Sequence, residues 1–246
     1  MALQEQYKRQ GDFLFKNRGH LPLLIIVIGL AVFVEGIINR ENSGITNCFP
    51  FEYKFELCFL VGLIGVFIRC HVVGYAPDRT SGRNIDTQIA DVLNTNGLYS
   101  IVRHPLYVGN FFMWLSPTLL TANPWFIISF ILFFTLYYER IMMAEEFFLK
   151  NKFKDHYTSW ANKTPAVFPK FSLYQKADSS FKFMEVLKRE KNGVLALFIL
   201  FWIFELIENS ISAEKFTLAY SFWFYGLIVT LIYYLIRKIR KIANRK

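Results

Sequence analysis

Residues 98–120 read LYSIVRHPLYVGNFFMWLSPTLL, with Arg103, His104 and Pro105 at the mouth of an apolar run. Proline suits the first turn of a helix, where its missing N–H leaves no bond unmade and its φ is already helical. The stretch therefore predicts a helix that begins at Pro105, with His104 at its cap and the apolar residues 106–122 as its body. At about 1.5 Å per residue, a run of that length crosses most of a hydrocarbon layer about 30 Å thick.

The rest of the chain repeats the pattern. It has 246 residues, 54% of them hydrophobic and only 19% charged, too apolar for an ordinary soluble domain. Six apolar runs, at 21–38, 55–75, 106–122, 125–138, 194–207 and 216–236, predict about six transmembrane helices in an all-α, polytopic bundle. The net charge of +9 does not gather on one face, as a nucleic-acid surface would require; it falls in alternate gaps between the runs. Lys8, Arg9, Lys16 and Arg18 precede the first run, Arg79, Arg83 and Arg103 follow the second, lysines fill the stretch after the fourth, and the tail reads RKIRKIANRK. By the positive-inside rule these gaps are cytoplasmic and both termini lie inside. The first run lacks a small-x-small cleavage site, Glu35 and Asn39 standing where one would be, so it is expected to remain as a span. The membrane is then a bacterial inner membrane or the endoplasmic reticulum.

One membrane domain, 1–246, is expected, with its chemistry in a core at 93–170 and a cytoplasmic linker plus two further spans at 171–246. The Pro-, Gly- and Asn-rich residues 76–97 read as a loop with a short helix around 86–93. After the fourth run the helical pattern continues through ERIMMAEEFFLKNKFKDHYTSW, so that helix is expected to leave the bilayer; Pro165 and Pro169 end it, and 182–191 forms a basic amphipathic approach to the fifth span. Cys48, Cys58 and Cys70 have neither CxxC spacing nor a histidine at ligand spacing, so no metal site is expected.

Two clusters carry possible chemistry. At the start of the third span, the amides of Leu106, Tyr107 and Val108 form the positive end of a helix dipole, Arg103 adds a full charge, and Tyr107 shares a helical side with His104. Each has a plainer reading: Arg103 as a headgroup anchor, Tyr107 as an interfacial aromatic, Gly109 as a point of close helix packing. In the second cluster, Glu139, Arg140, Glu145 and Glu146, the adjacent glutamates lie about 100° apart on a helix, so only one faces a given ligand squarely. A solvated interfacial face is the alternative.

The spacing of these clusters resembles a known pattern, Gly-x-Tyr-x-x-x-Arg-His-Pro-x-Tyr-x-Gly, then Glu-Glu-x-x-Leu, Phe-Gly-x-x-Tyr-x-x-Tyr and a proline. Gly97, Tyr99, Arg103, His104, Pro105, Tyr107, Gly109, Glu145, Glu146, Leu149, Phe153, Tyr157 and Pro169 match it, while Lys154 replaces a glycine and Trp160 the last tyrosine. The pattern is that of the integral-membrane methyltransferases typified by isoprenylcysteine carboxyl methyltransferase, with the phospholipid N-methyltransferases as relatives. The resemblance implies S-adenosylmethionine as cofactor, in a cytoplasm-facing pocket between the start of the third span and the exit of the fourth. A lipid or lipidated acceptor would enter sideways from the bilayer. On this reading Arg103, His104, Tyr107, Gly109, Glu145 and Tyr157 bind the cofactor, and Arg140, Glu146 and Arg83 are the catalytic candidates. Arg79, Arg83 and Trp160 are the acceptor-binding candidates. Membrane NADPH reductases of the sterol type share Arg-His-Pro but continue Asn-Tyr-x-Gly-Glu, where this chain has Leu106 and Asn110.

The acceptor is read from DRTSGRN, 78–84, where Arg79 and Arg83, the hydroxyls of Thr80 and Ser81 and a glycine at 82 are equipped to hold an oxyanion. An anionic acceptor, a lipid phosphate or a prenyl-type carboxylate, is the expectation. Topology alone also explains those arginines.

Overall fold

The computed structural model describes residues 3–19, 21–39, 53–77 and 91–243. Among them are seven α-helices: α1 (Leu3–Lys16), α2 (Leu21–Ile38), α3 (Lys54–Tyr75), α4 (Pro105–Leu120), α5 (Pro124–Ala161), α6 (Phe183–Ser212) and α7 (Phe222–Ala243). Each of the six apolar runs lies on one of α2 to α7. Four helices, α3, α5, α6 and α7, are long and apolar enough to cross a membrane, and their outward faces carry exposed Leu60 and Ile64, Leu132 and Leu136, and Val229 and Ile232. Such surfaces suit hydrocarbon and not water. The chain is a multi-pass integral membrane protein.

The boundaries differ from the sequence reading at three places. Residues 216–221, expected to open the last span, are not helical, and α7 begins at Phe222. Of the short helix expected around 86–93, residues 86–90 lie outside the described residues and 91–93 are not helical. The N-terminal segment, read for its charge alone, is a helix: α1 packs along α5, where Gly11 lies against the Arg140 carbonyl and the Ala144 side chain, and the Tyr137 hydroxyl donates to the Leu14 carbonyl at 3.2 Å.

Small residues and aromatic rings hold the bundle together. Gly62 and Gly65 on α3 face Ser116 and Gly109 on α4 closely enough that an added methyl group would overlap the neighbour, and Ser116 donates to the Cys58 carbonyl at 2.7 Å. Close approach through small residues is how helices gain contact where lipid offers no hydrophobic drive. One apolar core joins Phe33, Phe59, Leu120, Phe201, Phe204 and Trp223; a second joins Phe15 to Phe130, Phe134, Tyr137, Tyr138 and Ile141.

α5 positions the site. Asn123 caps its start by accepting from the Phe126 amide at 3.0 Å, with Pro124 in the first turn. At about 1.5 Å per residue it is nearly twice as long as a hydrocarbon core is thick, so its second half projects beyond the apolar layer. The projection kinks at Lys154, whose φ of 48° and ψ of −122° belong to glycine's territory. The resembling pattern has glycine there, and the backbone explains why. Lys154→Gly is expected to stabilise the protein by about 1 kcal/mol, read as a higher unfolding midpoint in detergent; an unchanged or lower midpoint would contradict strain at this residue.

Candidate active site

The mouth of α4 is built by backbone pairing. The amides of Arg103 and His104 donate to the carbonyls of Pro165 (2.9 Å) and Ala166 (3.3 Å), and the Lys170 amide donates to the Ile101 carbonyl (2.9 Å). A second tie joins Gly97, at φ 63°, to Gln175. Segment 164–170 is thereby fastened across the start of α4, and the turns that follow α5 bring its glutamates over the same point.

His104 occupies the cap position but its side chain does not cap the helix. The amides of Tyr107 and Val108, expected to face an anion, bond instead to the carbonyl of His104 itself. The buried imidazole turns towards α5. Its Nε2 lies 2.8 Å from Glu146 Oε1 and its Nδ1 lies 3.7 Å from Glu145 Oε2. The Tyr107 hydroxyl donates to Glu145 at 3.0 Å, and the Tyr107 ring stacks beside the imidazole with centroids 5.7 Å apart. Arg103 Nε stands 3.3 Å from Glu146 Oε1, an ion pair without hydrogen-bond geometry. Burial alone would push the His104 pKa below its ordinary value, but hydrogen bonds and charge from Glu145 and Glu146 outweigh it and hold it above. Both glutamates therefore face one imidazole.

Arg103, His104 and Tyr107 line two adjoining cavities. The larger, about 880 Å³, runs between α4 and α5 past Phe111, Phe112, Ile131 and Phe134 and ends under Val167, Phe168 and Pro169; Glu146 lines it. The smaller, about 220 Å³, is polar, lies among α1, α3, α4 and α6, and is lined by Glu145 with Arg18, Arg69, Arg189 and Glu190. The question of which glutamate faces a ligand dissolves: each faces a different cavity.

Of the residues singled out in the sequence, the structure thus brings together Arg103, His104, Tyr107, Glu145 and Glu146. Tyr157 joins them, buried beside Glu146. Three others sit elsewhere. Arg140 stacks on the Tyr7 ring at 3.6 Å and pairs with Glu139 at 3.1 Å, bracing α1 and lining neither cavity. Gly109 faces Gly65 and the stem of Arg69 in the α3–α4 contact and not a cavity, because the two helices cross there with no room for a side chain. Trp160 gives its indole N–H to the Tyr99 carbonyl at 3.1 Å and also lines neither cavity. Arg79 and Arg83 lie outside the described residues. Arg69, Asn110, Tyr138 and Glu190 are site residues that the sequence reading did not assign; an arginine inside an apolar run, FIRCHVV, was the available signal.

The chain belongs to the phospholipid methyltransferase family, whose model matches residues 57–156, from α3 to the kinked end of α5. It is 32% identical to the cobalt-zinc-cadmium resistance protein CzcN of Cupriavidus metallidurans, over 67% of this chain and 69% of that one. It is 35% identical to the nickel-cobalt-cadmium resistance protein NccN of Alcaligenes xylosoxydans, over 67% and 70%. With the protein-S-isoprenylcysteine O-methyltransferase of Schizosaccharomyces pombe the identity is 35%, over 64% of this chain and 71% of that one. No solved structure matches. Among the described residues no three His, Cys, Asp or Glu side chains are grouped to hold a metal ion.

Proposed function

We propose that this protein is an S-adenosylmethionine-dependent methyltransferase whose acceptor is a membrane-embedded lipophile with an anionic group. The observation that carries the reading is the shared lining: Arg103, His104 and Tyr107 belong both to an apolar cavity that reaches between two helices of the bundle and to a small polar one. A lipid tail and a charged head group need that pair of environments side by side.

The residues fit the cofactor. The larger cavity falls in the size range of small-molecule sites, roughly 300–1,000 Å³, whereas the smaller falls below it. Arg103, a guanidinium that lines the cavity beside Glu146, suits a carboxylate, Glu146 suits an amine or ribose hydroxyls, and Phe168 and Phe171, exposed at the rim, suit the face of a purine. Tyr107 and Tyr138, whose rings lie 4.9 Å apart, offer π faces to a sulfonium. When bound, S-adenosylmethionine supplies an electrophilic methyl group, which leaves the protein to align, desolvate and hold charge. His104 holds the two glutamates apart in fixed directions, segment 164–170 covers the loop end of the cavity against water, and the apolar surfaces of Phe111, Phe112 and Phe134 take the acceptor's tail. Its head group meets the donor where the two cavities adjoin, at Arg103, His104 and Tyr107, and reaches into the polar cavity, which four arginines and His104 against two glutamates leave positive. With positive gaps inside, both termini and this site face the cytoplasm.

Purified protein with methyl-labelled S-adenosylmethionine, in phosphatidylcholine vesicles carrying farnesylcysteine, phosphatidic acid or phosphatidylethanolamine, tests the proposal. Label is expected in farnesylcysteine or phosphatidic acid, with saturable cofactor binding by calorimetry and none for NADPH. Label in the ethanolamine lipid alone would overturn the anionic acceptor; NADPH binding without S-adenosylmethionine binding would overturn the methyltransferase.

A further inference from the structure

The polar cavity is completed by a helix that lies outside the segment matched by the family model. α6 contributes Glu190, which is only 4% exposed. A buried carboxylate is costly unless paired, and this one takes the side of a guanidinium: Arg69 donates from Nε at 2.7 Å and from Nη2 at 2.9 Å. Arg69 Nη1 donates to the Asn110 side-chain carbonyl, and the Asn110 amide donates to the Tyr138 hydroxyl at 3.3 Å. The chain of contacts runs through α6, α3, α4 and α5. Gly109 presses on the Arg69 stem from α4, and Gly193, on the next turn of α6 after Glu190, lets Met113 of α4 close in.

We propose that Glu190 is a positioning residue of the site: it fixes Arg69 in the wall of the polar cavity and so determines which acceptor head group that cavity accepts. This rests on the methyltransferase reading above. An arginine has five N–H groups, and the contacts to Glu190 and Asn110 use three, so two remain to meet a head group in a direction that Glu190 sets. Without Glu190 the guanidinium keeps its charge but loses its planar anchor, and the head group meets a cation of undefined orientation. Selection of the acceptor is thereby tied to α6, not to the family core.

A tie between α3 and α6 could be structural only, and the protein contains its own control. At the other end of the same two helices Lys54 and Glu208 form a second interhelical ion pair at 3.0 Å, remote from both cavities. Wild type, Glu190→Gln and Glu208→Gln are compared in phosphatidylcholine vesicles with labelled S-adenosylmethionine and farnesylcysteine or phosphatidic acid, whichever the wild type methylates. Glu190→Gln is expected to lower kcat/KM for the acceptor on the order of tenfold to a hundredfold, the size of a lost charged hydrogen bond, with cofactor affinity unchanged and Glu190→Asp restoring part of the loss. Glu208→Gln is expected to lower the unfolding midpoint and leave the acceptor KM alone. Should Glu190→Gln not fold, Asn110→Ser, which removes the other anchor of Arg69, is expected to move the acceptor KM in the same direction. If the wild type is active and neither Glu190→Gln nor Asn110→Ser moves the acceptor KM, or if Glu208→Gln moves it equally, the positioning role is overturned while the methyltransferase stands. If the wild type labels no acceptor, both readings fall.

Discussion

Replacing His104 with alanine is expected to abolish measurable binding of S-adenosylmethionine and to lower stability by about 1–3 kcal/mol, the cost of leaving hydrogen-bonding groups without their partner. His104 is the buried group that lets the partly exposed Glu145 and Glu146 lie side by side; without it two carboxylates and the Tyr107 hydroxyl share a void. His104→Gln fills the space, donates one hydrogen bond and is expected to fold with much weaker binding. The two variants also separate by pH. The folded-state pKa of His104 lies above 6.5, so its stabilisation is complete below the unfolded value and is lost as pH rises through the folded one. The stability advantage of wild type over His104→Gln is therefore expected to shrink above pH 6.5. A gap that widened with pH would mean a neutral imidazole, and unchanged cofactor binding in His104→Ala would remove it from the site.

Glu145→Gln and Glu146→Gln are expected to fail in different ways, although the residues are neighbours. Glu146 lines the larger cavity and Glu145 the polar one. Glu146→Gln is expected to weaken cofactor binding on the order of tenfold or more with little effect on the acceptor KM, and Glu145→Gln to do the reverse. Calorimetry for the cofactor and initial rates against acceptor separate the two constants. The opposite pattern would exchange the contents of the cavities; identical behaviour would mean that the two cavities act as one site.

Of the six expected spans, the four on α3, α5, α6 and α7 and the mouth of α4 were legible in the sequence because each is local: run length marks the helices, and Arg103-His104-Pro105 marks a helix start. The role of His104 was legible only as chemistry near a membrane. That it turns from its cap position to the two glutamates depends on where the far end of α5 comes to rest, and no spacing rule carries that. α1 escaped notice since four basic residues near a first span already satisfied the positive-inside rule, and its apolar side finds its partners on α5, more than a hundred residues away in the chain. Glu190 was hidden in the same way: in VLKREKNG it reads as one charge among several on a solvated turn, and only the crossing of α6 over α3 sets it against Arg69. Lys154 worked in the other direction, because a departure from the pattern in the sequence became a strained dihedral in the structure.

The single imidazole between the two cavities makes their contents thermodynamically inseparable. A ligand that donates a hydrogen bond to Glu146 changes how strongly His104 is drawn towards Glu145, and so changes the field in the neighbouring cavity. By reciprocity, an occupant there shifts affinity for the first ligand by the same factor. On the proposed methyltransferase reading, loss of the donor's positive charge at methyl transfer would act on both cavities together, and the affinities for the two products would be coupled.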